Sequence, residues 1–257
     1  MPNENKPLNE TEAEREAESP APIPTETNEP PVVSRQRAAR RLRRAEVYYG
    51  VALAAFAVLA LLARFNSYFG WDLRAARFLQ NLPVPGLHAG MRVVSVPGDD
   101  WIPYALTAVT VLIFLVFNWR SEAAGMLFSA GAGAIVNFVL KTLIARPRPS
   151  SDLVQVFREL GSKSFPSGHV SFYVCYFGFL FFVAYALLPR GSLSRRAALV
   201  ICAAPVALVG LSRVYLGEHW PSDVFGAYLA SGLWLALSLN LYRRWKQNAT
   251  FHEDRPR

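Results

Sequence analysis

Six long runs of apolar residues constrain the fold of this 257-residue chain more than any other feature of its sequence. Most of the runs approach the length of about 20 residues that a helix needs to cross a bilayer. Lipid offers no hydrogen-bond partners, so backbone groups inside a span must be satisfied within the segment, which favours helices. The runs are Tyr49–Leu62, Trp101–Trp119, Ala123–Ile144, Val170–Leu188, Ala197–Leu211 and Val224–Leu241. We therefore predict an all-α, polytopic membrane protein with a bundle of six transmembrane helices.

The composition supports a membrane protein over a soluble one. Hydrophobic residues make up 52% of the chain, which exceeds the usual balance of soluble domains. The run that begins at Ala197 is short enough to be a buried helix of a soluble core, but its neighbours are too long and too uncharged for that interpretation. Cys175 and Cys202 both lie inside predicted spans without metal-ligand spacing, so they indicate neither a disulfide framework nor a zinc site.

Basic residues cluster at the ends of predicted helices in a pattern that sets the orientation. With an even number of spans, the clusters all fall on one face, which the positive-inside rule makes cytoplasmic. The clusters are the six arginines within residues 34–44, then Arg190, Arg195 and Arg196, and then Arg243, Arg244 and Lys246. We interpret the first cluster as a topology signal that also attracts anionic lipid, in preference to a nucleic-acid-binding segment.

The two ends of the chain are predicted to lie outside the membrane domain. Residues 1–33 are rich in Glu, Pro, Thr and Asn, and they hold too little apolar surface to offset the entropy of ordering. They are predicted to form a disordered acidic cytoplasmic tail, and residues 34–48 a basic juxtamembrane segment. The membrane domain is predicted over residues 49–244, and a flexible tail over residues 245–257. We expect the first span to act as an uncleaved insertion signal, because no basic stretch and apolar core of a secretory leader precede it.

Two polar segments stand beside predicted helix ends on the opposite, extracytoplasmic face. Lys141 lies near the end of the third span and is followed by Arg146–Pro149, where the prolines end the helix and fix cations near one point. Snorkelling of helix-end cations to the interface is the alternative. The segment Pro166–His169 would place free backbone amides and a Ser hydroxyl at the N-terminus of the fourth span, which is an anion site. Its alternative is plain N-capping by Ser167, with His169 exposed to water.

A third segment contains a histidine and a carboxylate four residues apart. Ser212 and Arg213 are followed by His219 and Asp223, and Pro221 suits the first position of the sixth helix. Asp223 would then lie in the first turn, where it can fix the tautomer of His219 and leave the other ring nitrogen free to attack. The pair alone is weak evidence for a catalytic site, because a helix-end hydrogen bond and the helix dipole also favour Asp in the first turn of a helix. Three such segments on one face indicate a site for a phosphate ester.

Together the three segments resemble the signature of the type 2 phosphatidic acid phosphatase superfamily. That signature is Lys, six residues, Arg-Pro; then Pro-Ser-Gly-His; then Ser-Arg, five residues, His, three residues, Asp. The matching residues are Lys141, Arg148, Pro149, Pro166, Ser167, Gly168, His169, Ser212, Arg213, His219 and Asp223. The resemblance covers about Tyr49 to Arg244 and extends to the six-span architecture of the family's bacterial integral membrane lipid phosphatases.

The resemblance implies a reaction through a phosphohistidine. His219 would attack phosphorus, Asp223 would orient its ring, and His169 would protonate the leaving group and later activate water. The phosphate oxygens would be held by Lys141, Arg148, Ser167, Gly168 and Arg213. Because these cations take the place of the metal in other phosphoryl-transfer sites, we expect metal-independent activity without a cofactor.

The implied substrate is a membrane lipid phosphate at the outer face of a bacterial inner (cytoplasmic) membrane. Candidates are undecaprenyl diphosphate, phosphatidylglycerol phosphate, phosphatidate and phosphorylated lipid A, and we favour undecaprenyl diphosphate or a glycerophospholipid phosphate. A lipid phosphotransferase with the same phosphohistidine and a non-catalytic scaffold or transporter remain alternatives. The family's soluble haloperoxidases share the site, but the apolar spans argue against that branch. The sequence does not indicate the oligomeric state.

The sequence allows more than one interpretation for two connecting segments. Residues 66–100 mix Trp, Phe and Leu with polar residues, and they are either a short interfacial helix that gates lipid entry or a packed loop. Residues 150–165 are polar and lie between two of the site motifs. Contact of this second segment with a lipid headgroup is a hypothesis.

Overall fold

The computed structural model describes residues 32–161 and 163–253 of the chain. Within these ranges the regular secondary structure is helical, which confirms the all-α prediction. The helices are α1 Val32–Phe65, α2 Gly70–Gln80, α3 Leu87–Ser95, α4 Ile102–Val116, α5 Arg120–Ile144, α6 Gly168–Leu187, α7 Leu193–Tyr215 and α8 Pro221–Glu253. Residues 1–31 of the predicted acidic tail lie outside the described residues.

Five of the described helices are long and apolar enough to cross a membrane, and the count becomes six when a bent pair of helices is taken as one broken span. The five are α1 from Glu46 onward, α5, α6, α7 and α8. The bent pair joins Leu87–Gly98 to Ile102–Val116 at an angle of 56°. Pro97 and Pro103 flank the break, where each lacks a backbone donor and opposes a continuous helix. The predicted run Trp101–Trp119 therefore corresponds to only the second arm of a broken span.

Several helices extend beyond the apolar runs that predicted them. The short run from Ala197 belongs to α7, which is long enough to span a membrane. Helix α8 begins at Pro221, as predicted, and continues past the predicted boundary at residue 245 to Glu253, because helical structure does not require apolar residues. Residues 32–45 belong to one compact unit and residues 46–253 to another, and the site described below lies in the second.

Helix α6 is the centre of the second unit and packs against α5, α7 and α8. Lipid tails are as apolar as the helix surfaces, so close packing and interhelical hydrogen bonds hold such helices together. The Asn137 side chain donates to the Ser171 hydroxyl at 2.8 Å, and the Ser129 hydroxyl donates to the Cys175 carbonyl oxygen at 2.8 Å. Ser129 lies in a π-helical segment of α5, Leu127–Ala132. These bonds tie α5 to α6 directly below the site.

The segment between α1 and α4 forms two helices, α2 and α3, which both pack against α7. Leu73 and Leu79 of α2 contact the buried core. Trp71 and Phe78 on the same helix are exposed. Both parts of the segment are therefore helical, and α2 has one face packed on the bundle and the other exposed.

The loop between α5 and α6 is held against the turn that precedes α8. The Gln80 side-chain amide donates to the carbonyl oxygens of Gln155 at 2.7 Å and Tyr215 at 2.9 Å, and its oxygen accepts from the Gln155 N–H at 3.0 Å. Gly217 has a φ of +67°, and a β-carbon there would collide with the Gln155 carbonyl oxygen. A glycine is therefore required at this position for both conformation and space. These contacts fix the loop close to His219.

Candidate active site

A histidine and a carboxylate form a buried pair at the start of α8. His219 lies in the turn before the helix and Asp223 lies in its first turn. The His219 Nδ1 atom is 3.6 Å from Asp223 Oδ2, and both side chains are almost fully buried. Asp223 Oδ2 also accepts hydrogen bonds from the Trp220 backbone N–H at 2.8 Å and from the Ser164 hydroxyl at 2.5 Å. The structure brings the predicted pair together and adds Ser164, which no sequence motif indicated.

The second ring nitrogen of His219 faces a guanidinium group. Arg148 Nη1 lies 3.2 Å from His219 Nε2 and donates a 2.6 Å hydrogen bond to the Glu218 carbonyl oxygen. A guanidinium has only donors, so Nε2 presents its lone pair and Nδ1 carries the proton toward the carboxylate. Burial lowers the pKa of His219 well below its usual value, and the charges of Arg148, Lys141 and Arg213 lower it further. The ring is therefore neutral near neutral pH, with an Nε2 atom that can act as a nucleophile.

Two of the three predicted cations line the same cavity as His219. They are Lys141 and Arg148. Lys141 Nζ donates to the Lys163 carbonyl oxygen at 2.8 Å. Burial lowers the pKa of Arg148 to about 10, so the guanidinium stays charged at neutral pH. Across residues 32–161 and 163–253, no group of three or more His, Cys, Asp or Glu side chains is arranged to hold a metal ion. Lys141 and Arg148 bring cationic side chains to this site.

The third predicted cation, Arg213, has a different environment. It is fully buried, forms an ion pair with Glu218, and donates from Nη1 to the Ser95 hydroxyl. The adjacent Ser212 hydroxyl donates to the Met91 carbonyl oxygen at 2.6 Å. Arg213 therefore ties α7 to α3 and to the turn before α8, and its charge acts on the site from a fixed position. Its acidic partner Glu218 was not predicted.

Ser167 and Gly168 lie at the N-terminus of α6, beside the cations. Ser167 is fully buried, and among the described residues its hydroxyl has no hydrogen-bond partner, so it does not cap the helix. A β-carbon on Gly168 would lie 3.5 Å from Asn137 Oδ1 and 3.7 Å from Lys141 Cε. The helix N-terminus is thus an anion-binding arrangement of backbone amides with a spare hydroxyl donor. The plain N-cap alternative for Ser167 does not describe this geometry.

The second predicted histidine pairs with a carboxylate that the sequence motifs do not contain. His169 Nε2 lies 2.9 Å from Asp99 Oδ1, and Arg158 Nη2 lies 3.0 Å from the same oxygen. Partial burial raises the pKa of Asp99, but the hydrogen bond and charge of His169 and the charge of Arg158 outweigh burial and lower it. Asp99 is therefore ionised. The His169 side chain is only 11% exposed, so it is not the water-exposed residue of the capping alternative.

Arg146 is the largest addition that the structure makes to the predicted site. Its Nη1 donates to Asp223 Oδ1 at 2.6 Å and to the Ser222 hydroxyl at 2.7 Å, and its Nη2 donates to Asp72 Oδ2 at 3.0 Å. Its Nε donates to the Asn66 carbonyl oxygen at 3.1 Å. The side chain is 1% exposed, so it is not a cation that snorkels to the interface. Its position directly before Pro147 was visible in the sequence, but its carboxylate partners were not.

A cavity of about 800 Å³ joins these polar groups to an apolar groove. At its polar end it is lined by Lys141, Arg148, His169 and His219. It then continues between α4 and α5 along side chains that are almost all apolar, among them Val111, Leu115, Leu127, Ala130 and Ala134. The arrangement accommodates a molecule with an anionic head and a long apolar tail.

Comparison with known proteins gives the family of the chain. The family model described as the PAP2 superfamily matches residues 122–247. Lipid A 1-phosphatase of Rhizobium johnstonii is 31% identical over 185 residues, which cover 60% of this chain and 67% of that protein. The chain belongs to the PAP2 superfamily. The resemblance stated from the sequence motifs is thereby confirmed.

Two further PAP2 comparisons concern the fold and the extent of the match. Phosphatidylglycerophosphatase B of Bacillus subtilis is 37% identical over 127 residues, which cover 49% of this chain but only 61% of that relative's length. The crystal structure of a transmembrane PAP2 type phosphatidylglycerolphosphate phosphatase from Bacillus subtilis superposes with a TM-score of 0.64 at 26% identity, and covers 76% of this chain and 96% of that one. The membrane-bundle prediction is confirmed by this likeness.

Replacement of Arg146 by methionine should destabilise the protein strongly. Methionine preserves much of the volume but leaves the Asp72 and Asp223 carboxylates buried without their shared cation, which costs about 3–5 kcal/mol. Thermal unfolding of the detergent-solubilised protein measures the effect. Arg74→Met, on the exposed face of α2, is the matched control and should change stability by no more than about 0.5 kcal/mol. Equal stability of the two variants would contradict the role assigned to Arg146.

Proposed function

We propose that this PAP2 protein is an integral membrane lipid phosphatase that works through a phosphohistidine. The observation that carries the proposal is the position of the His219 ring, which is held between Asp223 and Arg148 at the polar end of a cavity whose other end is apolar. The curated relatives named above support a reaction on lipid phosphates. The reaction and the roles of the residues are inferred from their chemistry.

In the first step, His219 Nε2 attacks phosphorus. A P–N bond forms, the bond from phosphorus to the leaving oxygen breaks, and a proton passes from His169 to that oxygen. Asp223 stabilises the positive charge that develops on the His219 ring. The geometry supports these roles because both histidines line one cavity.

In the second step, water attacks the phosphohistidine. The new P–O bond forms as the P–N bond breaks, and His169 accepts a proton from the water, which returns both histidines to their starting states. Free phosphate is the product. A lipid acceptor in place of water would give the phosphotransferase alternative with the same residues.

We propose that protein cations stabilise the phosphoryl group without a metal. Lys141 and Arg148 lie beside the nucleophile, and the charge of Arg213 acts from its buried position. The Ser167 hydroxyl and the α6 amide at Gly168 add donors for non-bridging oxygens. Such preorganised donors act where charge develops in the transition state and cost no reorganisation during the reaction.

We propose a membrane lipid phosphate as the substrate, because the cavity continues from the cations into the groove between α4 and α5. A bound lipid would keep its phosphate beside the histidines and one tail along the groove, at the depth of the surrounding bilayer. Undecaprenyl diphosphate, phosphatidylglycerol phosphate and phosphatidate all meet this description. The choice among them, and between monophosphate and diphosphate, is a matter for the assay.

Detergent-purified protein should release inorganic phosphate from at least one of these lipids with a chelator present throughout. His219→Ala should lower the release by about 1,000-fold or more, because the covalent route is lost. His88→Ala is the matched control, since His88 is an exposed histidine outside the site, and it should retain wild-type activity. Activity that is lost with chelator and restored by magnesium would contradict metal independence. Wild-type activity in His219→Ala would contradict the assignment of His219 as the nucleophile.

We also propose that the site faces the outside of a bacterial cytoplasmic membrane. The site lies where α6 and α8 begin and α7 ends, whereas the basic residues near 190–196 and 243–246 lie at the other ends of these helices. One of these basic residues, Lys246, pairs with the buried Glu122 and so also joins α8 to α5.

Reporter fusions test this orientation. A reporter enzyme that is active only outside the cytoplasm should be inactive when fused after Arg244, because the positive-inside rule places that end in the cytoplasm. The same reporter fused after Phe65, at the other end of the first span, should be active. The reverse pattern would contradict the proposed orientation.

A further inference from the structure

We infer that Asp99 is a positioning residue that sets the tautomer and orientation of His169 for proton transfer. The inference rests on the proposed function, because it assigns a partner to the acid of that reaction. Asp99 precedes the segment matched by the family model, which begins at residue 122. It also lies outside the three motifs that the sequence presents.

Asp99 occupies the break in the second span. It follows the short 3₁₀ turn Val96–Gly98 and precedes α4. Asp99 therefore lies in non-helical backbone between the two arms of the span. His169 lies on a different element, in the first turn of α6. The hydrogen bond of 2.9 Å between Asp99 Oδ1 and His169 Nε2 is therefore a contact between two spans.

The contact determines which nitrogen of His169 reacts. Because Asp99 is ionised, its oxygen can only accept, so His169 Nε2 carries a proton toward it. Nδ1 is then the atom that exchanges a proton with the leaving oxygen and with water. A carboxylate in this position also stabilises the imidazolium form that must donate the proton.

The backbone beside Asp99 also restricts the ring. A β-carbon on Gly98 would collide with the His169 ring, so the glycine backbone lies directly against the imidazole. The ring is held by the carboxylate at one nitrogen and by this backbone at its edge. Both restraints come from the break in the span. The break therefore positions His169 in addition to bending the span.

Arg158 contacts the same Asp99 oxygen as His169 does. It donates from Nη2 to Asp99 Oδ1 at 3.0 Å and from Nη1 to Asp100 Oδ2 at 3.4 Å. Arg158 belongs to the loop between α5 and α6, so Asp99 lies between that loop and His169. A purely structural function for Asp99 would be to hold this loop, and the experiment must separate the two functions.

The dependence of the reaction rate on the leaving group separates the positioning function of Asp99 from the loop-holding function. A phosphate ester of an alkyl alcohol needs a proton on its leaving oxygen, whereas an aryl phosphate such as p-nitrophenyl phosphate needs little help. The measured quantity is kcat/KM, because it reports the step in which the leaving group departs and not the later hydrolysis. Dioctanoyl phosphatidate supplies the alkyl case.

We expect Asp99→Ala to lower kcat/KM for dioctanoyl phosphatidate by about 100-fold and for p-nitrophenyl phosphate by no more than about threefold. Asp99→Asn keeps an acceptor oxygen but loses the charge. Its kcat/KM for dioctanoyl phosphatidate should therefore lie between the values of Asp99→Ala and wild type. Arg158→Gln removes the ion pair between the loop and Asp99 but leaves the Asp99–His169 pair in place. The ratio of its kcat/KM values on the two substrates should therefore stay within about threefold of wild type. Asp152→Asn, on an exposed loop residue, is the matched control and should behave as wild type.

Equal losses on the two substrates in both Asp99 variants would overturn the inference, as would wild-type activity in both. An Arg158→Gln protein that reproduces the selectivity of Asp99→Ala would overturn it too, because the loop would then be the cause. Thermal unfolding in detergent shows whether Asp99→Ala is folded, and if it is not, Asp99→Asn decides the question. A wild-type protein that releases phosphate from neither substrate would instead contradict the proposed function.

Discussion

The buried charge of Asp223 is the constraint on which the rest of the site depends. An isolated carboxylate in such a place is costly, so it needs a cation and a full set of hydrogen bonds. Arg146 satisfies one oxygen, and Ser164 and a backbone N–H satisfy the other. Arg146 is shared with Asp72 of α2. The Asp223–Arg146 ion pair therefore joins α2, the loop after α5 and the start of α8, and Asp223 holds the His219 ring in place.

The two histidines are held in opposite ways, and this difference suits the proposed chemistry. His219 faces Asp223 through Nδ1 and presents Nε2, whereas His169 faces Asp99 through Nε2 and presents Nδ1. Each carboxylate stabilises the imidazolium that its histidine would form during turnover. Both pairs lie at the polar end of a cavity that continues between α4 and α5, and under the proposed function a lipid phosphate would react there without leaving the bilayer. The break in the second span supplies Asp99 and one wall of the groove.

Short-range features of the fold and site were predictable, and long-range ones were not. The start of α8 at Pro221 and the His219–Asp223 pair depend on neighbours within a single turn, which the sequence displays directly. Arg146 and Asp99 act through partners about seventy residues away, so each looks like an ordinary charge near a helix end. The break at Asp99 was missed because hydropathy detects only the apolar arm from Trp101 onward. The polar residues of α3 concealed the first arm.

Trapping of the covalent intermediate tests the central claim most directly. Loss of His169 removes the base that hydrolyses the phosphohistidine, so a His169→Ala protein given radiolabelled p-nitrophenyl phosphate should accumulate label. The account predicts a label that is labile in acid, stable in alkali, located on the peptide that contains His219, and missing from the His219→Ala, His169→Ala double variant. A turning-over protein with no label, or with an acid-stable label on another residue, would contradict the account.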